Sequence, residues 1–62
     1  MIWNKIEKIN LPNDKSWVII KSRLKHLPKY EVCFYNDDEW YLPSIDDVFL
    51  EEDIIEWAYI EK

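Results

Sequence analysis

The side chains able to do covalent or acid–base chemistry are few, and their surroundings work against it. The one histidine, His26, sits in the stretch Arg23–Lys29 among cations. It has no nucleophile or paired acid beside it, which nucleophilic or acid–base catalysis requires. Cys33 is the only cysteine and lies between Val32 and Phe34 in an apolar run. That setting suits a small inert hydrophobe better than a reactive thiol. Asp37, Asp38 and Glu39 are consecutive carboxylates that could approach a hard cation. Oxygen cages of the EF-hand type place a glycine at their sharp bend, and this chain contains no glycine. A glycine-rich phosphate loop is excluded for the same reason. The expectation is a protein with no catalytic residues, no metal site and no cofactor.

Two patterns carry more information. The first is aromatic: Trp3, Trp17, Trp40 and Trp57 with Tyr30, Tyr35, Tyr41 and Tyr59. Most of these are expected to fill a small core. A single sheet has two faces, however, and one short helical turn covers only one of them. Trp17 and Tyr35, or Trp40 and Trp57, are then left partly exposed, as protein interfaces favour. The second pattern is acidic and belongs to the C-terminal half. A solvated acidic face is one explanation, and engagement of a basic surface is the other. The residues expected to bind a partner are Asp37, Asp38, Trp40, Asp46, Asp47, Glu51, Glu52, Asp53 and Trp57.

The charge distribution gives this weight. The net charge is −5, but the halves differ. Residues 1–30 carry seven cations against Glu7 and Asp14, for +5. Residues 31–62 carry Lys62 against eleven acids, for −10. Either the surface is dipolar and steers partners, or the halves interleave and the charges pair across strands. Direct nucleic-acid binding is disfavoured, since phosphate contacts need a net basic face and only Lys21–Lys29 offers one.

At 62 residues the chain is expected to form a single domain, residues 1–62. A domain of about this size buries only about 60 % of its unfolded surface. A large enclosed active site is therefore not expected. The apolar fraction, 48 %, excludes intrinsic disorder. No apolar run approaches the length of a membrane span, and Met1–Lys5 lacks the layout of a signal peptide. A lone cysteine suits a reducing compartment, so a cytoplasmic location is expected.

The elements that position these residues read mainly as strands. Trp17-Val18-Ile19-Ile20-Lys21 is β-branched and short. Tyr30 to Tyr35 alternates, with Tyr30, Val32 and Phe34 on one face. Trp40-Tyr41-Leu42 follows after Asn36–Glu39, which predicts a hairpin with a four-residue loop. Pro43 ends that strand or marks an edge. Ile54 to Ile60 predicts the last strand, with Ile55, Trp57 and Tyr59 on one face. Ser44-Ile45-Asp46-Asp47 resembles a capping box. Ile45, Val48 and Phe49 have helical spacing, which predicts a short helical turn over Ser44–Asp53. Trp3, Ile6 and Ile9 are spaced by three and predict one helical or 3₁₀ turn, closed by Leu11-Pro12. Without glycine, positive-φ turns must use Asn or Asp, at Asn13-Asp14 and Asn36-Asp37-Asp38.

The order Trp3, Leu11-Pro12, Val18-Ile19-Ile20, Phe34-Tyr35, Asn36, Trp40-Tyr41 and Ile55-Glu56-Trp57-Ala58-Tyr59-Ile60 resembles a family of short phage and prophage proteins of unknown function. The resemblance covers nearly the whole chain. It implies a compact antiparallel sheet, a viral or prophage origin and no assigned reaction. The chain departs from that family in having Asn36-Asp37-Asp38 where a hairpin glycine is usual, and in the acidic stretch Ser44–Asp53.

The expected fold is α+β or mostly β: a small antiparallel meander of three or four strands with one short helical turn. The expected function is a non-catalytic protein-binding module of phage or mobile-element origin. Its partner would be a basic protein surface such as that of a host nucleic-acid-binding protein, and its effect inhibition of host defence or nucleic-acid processing. The alternatives are a nucleic-acid mimic acting by charge alone and a structural or assembly protein that homodimerises through a sheet edge.

Overall fold

The computed structural model describes residues 1–60. They form one antiparallel sheet with strands β1 (Asn4–Lys5), β2 (Ser16–Ser22), β3 (Tyr30–Asn36), β4 (Glu39–Leu42), β5 (Asp47–Phe49) and β6 (Ile54–Tyr59). A 3₁₀ turn, Glu51–Asp53, connects β5 to β6. The spatial order is β1-β6-β2-β3-β4-β5. The fold is thus mostly β, with more strands than the sequence predicts and no α-helix among the described residues.

The β5–β6 connection forces the sheet to curl. Four inter-strand spacings separate these strands in the order, about 19 Å at about 4.8 Å each in a flat sheet. Only Leu50 and the 3₁₀ turn lie between Phe49 and Ile54. A turn rising about 2 Å per residue, with the flanking steps extended, reaches about 13 Å. The sheet therefore wraps until β5 and β6 approach across its concave side. The 3₁₀ turn is held there by the Arg23 amide donating to the Asp53 carbonyl at 2.8 Å and by Arg23 Nε donating to the Glu52 carbonyl at 3.3 Å.

The concave face is the core. Register places Val18 opposite Cys33 and Tyr59, Ile20 opposite Glu31 and Trp57, and Trp40 opposite Tyr35 and Phe49. Val18, Ile20, Cys33, Tyr35, Trp40, Phe49 and Trp57 of these, with Leu42 and Ile54, make one buried apolar cluster. A bulge between Lys21 and Ser22 sets Ile54 opposite Ser22 and turns it inward. Ile6, Leu11, Leu24 and Leu27, from the two long loops, close over the cluster. The first of these loops is pinned by two strand residues. Trp57 Nε1 donates to the Asn10 carbonyl at 2.9 Å, and the Asn13 amide donates to Tyr59 Oη at 2.9 Å.

Several local expectations are corrected. Ser44–Asp53 is not helical: Pro43–Asp46 form a turn, Asp47–Phe49 a strand, and only Glu51–Asp53 a 3₁₀ turn. Period 2 wins there because Tyr41 and Leu42 of β4 offer Val48 and Asp47 a ladder, which buries Phe49 and leaves Val48 out. Ser44 Oγ caps no helix; it donates to Glu31 Oε2 at 3.1 Å. Asn4–Lys5 pair with β6 as a strand, and Ile9 is exposed instead of continuing a helical face. The β3–β4 loop has two residues, not four. Asn36 pairs with Glu39, and Asp37 and Asp38 both have positive φ, 50° and 63°. This is the two-residue turn whose twist matches its strands. In the loop before β2 the left-handed residue is Lys15 (φ 60°), not Asn13 or Asp14. Asp46 (φ 49°) is a further left-handed site that sequence reading missed.

Candidate functional site

The second face of the sheet is convex and partly exposed: Ala58 is buried there and Ile19, Phe34 and Tyr41 are half-buried. Its side chains alternate with the core residues, so register assigns them. One row crosses four strands: Trp17 of β2, Phe34 of β3, Tyr41 of β4 and Val48 of β5. The next contains Ala58, Ile19 and Val32. The third contains Lys5, Glu56, Lys21 and Tyr30. Trp17 is 50 % exposed, Val32 47 % and Tyr30 52 %. Two ring contacts stiffen the face: Trp17 on Phe34 with centroids 5.0 Å apart, and Trp3 on Tyr30 at 5.7 Å.

Acids border the first row. Glu39 lies two residues before Tyr41 on the same strand, so it shares the outer face. Asp46 Oδ1 accepts the Tyr41 hydroxyl at 2.6 Å, and this bond raises the Tyr41 pKa above its ordinary value. The Asp37-Asp38 turn projects from the end of the same hairpin.

A second acidic group lies at the mouth of the concave side, around the Tyr35 hydroxyl. That hydroxyl donates to Asp38 Oδ1 at 3.2 Å. Burial, then the bond to Asp38, then the charges of Asp38, Asp14 and Glu51 push Tyr35 up to about 12. Asp14 also ties two loops together, accepting the Asp37 amide at 3.1 Å. Glu51 and Glu52 line a shallow groove of about 500 Å³ with Lys5, Arg23 and Ile55.

The residues expected from sequence to bind a partner are therefore scattered. Asp46 borders the outer aromatic row, whereas Asp37 and Asp38 form the β3–β4 turn, where Asp38 accepts the Tyr35 hydroxyl on the concave side. Glu51, Glu52 and Asp53 lie on the 3₁₀ turn, and Asp47 on the edge strand β5, where its Oδ1 accepts the Val48 amide at 2.8 Å. Trp40 and Trp57 are 2 % exposed and belong to the core. This corrects their assignment to an exposed surface. Trp40 packs edge-on against Tyr35 at 4.6 Å and Trp57 against Tyr59 at 4.8 Å. Of the two aromatic pairs named from sequence, only Trp17 is exposed; Tyr35 is buried. Sequence reading did not select Phe34, Val32, Tyr41 or Glu39 as site residues. Their two-residue spacing carried the face, but not which face is covered.

Burial pushes the Cys33 thiol up to about 12, so it stays protonated at neutral pH. Among the described residues no group of three or more His, Cys, Asp or Glu side chains is arranged to hold a metal ion. No helix among them is long and apolar enough to cross a membrane. No family model, curated protein or solved structure matches the chain.

Proposed function

We propose that the protein is a non-catalytic binding module whose outer sheet face seats a basic protein partner. The observation behind this is the outer row Trp17-Phe34-Tyr41-Val48, exposed at Trp17 and Val48, with Glu39 and Asp46 at its border. Rigid aromatics with few rotatable bonds supply contact area at low entropic cost. Bordering carboxylates favour Lys- and Arg-rich partners and repel acidic ones. The partner class is a host nucleic-acid-binding or defence protein, the origin a phage or mobile element, and the site of action the host cytoplasm.

A second reading, mimicry of nucleic acid by charge alone, has the Asp14, Asp38 and Glu51 group around Tyr35 behind it. The two readings use different surfaces, so one experiment separates them. The full chain is immobilised, and captured host proteins are identified by mass spectrometry at low and moderate salt. Trp17→Ser with Glu39→Lys should abolish capture of a basic partner. Asp47→Lys with Glu51→Lys and Glu52→Lys should retain it. The opposite pattern, with capture falling steeply as salt screens exposed charge, would establish the mimic and remove the outer face from consideration.

A further inference from the structure

The charge segregation in the sequence survives folding along one part of the molecule. The halves do interleave, since β6 lies between β1 and β2, and Lys21 pairs with Glu56 at 3.7 Å. Yet the two central strands, β2 and β3, form a ribbon with opposite charge at its ends. The loop joining them carries Arg23, Lys25 and Lys29, with Lys21 just before it and no acid between Lys21 and Tyr30. The other end carries Asp14, Asp37, Asp38 and Glu39 against Lys15. Between these ends, register gives three cross-strand pairs on the outer face: Trp17 with Phe34, Ile19 with Val32, and Lys21 with Tyr30.

This arrangement is self-complementary. A two-fold axis perpendicular to the strands, passing through the Ile19–Val32 pair, brings two copies face to face with their ribbons antiparallel. Val32 then meets Val32. The Trp17–Phe34 pair of one copy lies on the Lys21–Tyr30 pair of the other, ring against ring and cation over ring. The acidic end of each ribbon faces the basic end of its mate, twice over, as an isologous contact demands. We infer that a second copy of this chain docks on the outer face in this antiparallel manner. The sheet edges offer less: β1 has two residues and β5 three, and short edges resist strand pairing. The inference goes beyond the partner reading, because the dimer covers the same face and a partner must displace the second copy to bind.

The test uses the residue on the axis. Sedimentation equilibrium of the full chain, up to on the order of 100 µM, should show mass rising toward twice that of one chain. Val32→Glu and Val32→Lys each place like charges together at the axis, so each alone should remain monomeric. An equimolar mixture of the two places Glu against Lys and should restore the dimer. Near-UV circular dichroism on each variant shows that the fold is kept, as expected for a residue 47 % exposed. A wild-type monomer at every concentration, a dimer unaffected by either variant, or a mixture that stays monomeric would each overturn the inference. A wild-type monomer would overturn this inference and leave the partner reading standing, because capture is read separately with Trp17→Ser and Glu39→Lys.

Discussion

The two faces of this sheet are built from the same strands and nearly the same residue types, yet they do different work. Trp17 and Val18 are adjacent on β2; the first is 50 % exposed and the second fully buried. Val48 and Phe49 are adjacent on β5 and divide in the same way. Curvature makes the difference. The concave face gathers side chains from strands that are far apart in the order, and loops close over it. The convex face spreads its side chains outward. Hydrophobicity therefore does not decide burial here.

The largest expected effects come from the concave face. Trp40→Ala or Trp57→Ala should cost about 3–5 kcal/mol, comparable with the whole stability of a small domain. Urea denaturation should show little or no cooperative transition. Trp17→Ala should stay within about 1 kcal/mol, as changes at exposed positions do. If it unfolds the protein as Trp57→Ala does, the outer face is a second core and the contrast fails.

Adjacent residues on β5 give a sharper version. Phe49→Ala should cost about 3–5 kcal/mol, and Val48→Ser about 0.5 kcal/mol. Equal losses would mean that β5 is held from both sides.

Alkali should act chiefly on the concave face. Cys33 rises from 9.0 to about 12 and Tyr35 from 10.0 to about 12 in the folded state, both with burial as the main cause. The unfolded chain releases these protons first. Their stabilising effect is thus complete below pH 9 and is lost as pH rises through 12. Melting against pH should slope downward over this range. Tyr35→Phe should flatten the upper part and Cys33→Val the lower. A profile unchanged in both variants would show that water reaches these groups.

The smallest effect concerns a turn outside both faces. Lys15 holds φ at 60°, a conformation that Asn tolerates better than Lys. Lys15→Asn should raise the melting temperature by the equivalent of about 0.5–1 kcal/mol. No gain would place the strain elsewhere in the loop.

Strands β2, β3, β4 and β6 were legible because β-branched and aromatic runs with period 2 are local signals. The Asp37-Asp38 turn was legible because few residues other than glycine accept positive φ. What stayed hidden depends on contacts distant in sequence. β1 has only Asn4 and Lys5 and exists by pairing with Trp57 and Glu56. β5 has three residues whose spacing also fits a helix, and β4 decides the matter. The site was half visible for a related reason. Composition reveals surplus aromatics, but Trp17 and Trp57 look alike until the curl fixes which face loops can cover. Asp37, Asp38, Asp46, Asp47, Glu51 and Glu52 are exposed, but their division between an outer border and a concave mouth needs the β5–β6 connection.

The absence of glycine has a consequence for the denatured chain. Glycine explores more backbone conformations than any other residue, so each one enlarges the entropy lost on folding. This chain has none, and Lys15, Asp37, Asp38 and Asp46 adopt the left-handed backbone instead. The folded state carries some local strain at those four positions. In exchange, the disordered ensemble competing with it is narrower, by the logic through which Gly→Ala changes stabilise proteins at compatible sites. A sheet with so thin a core thus gains part of its stability from conformations that its unfolded chain does not visit.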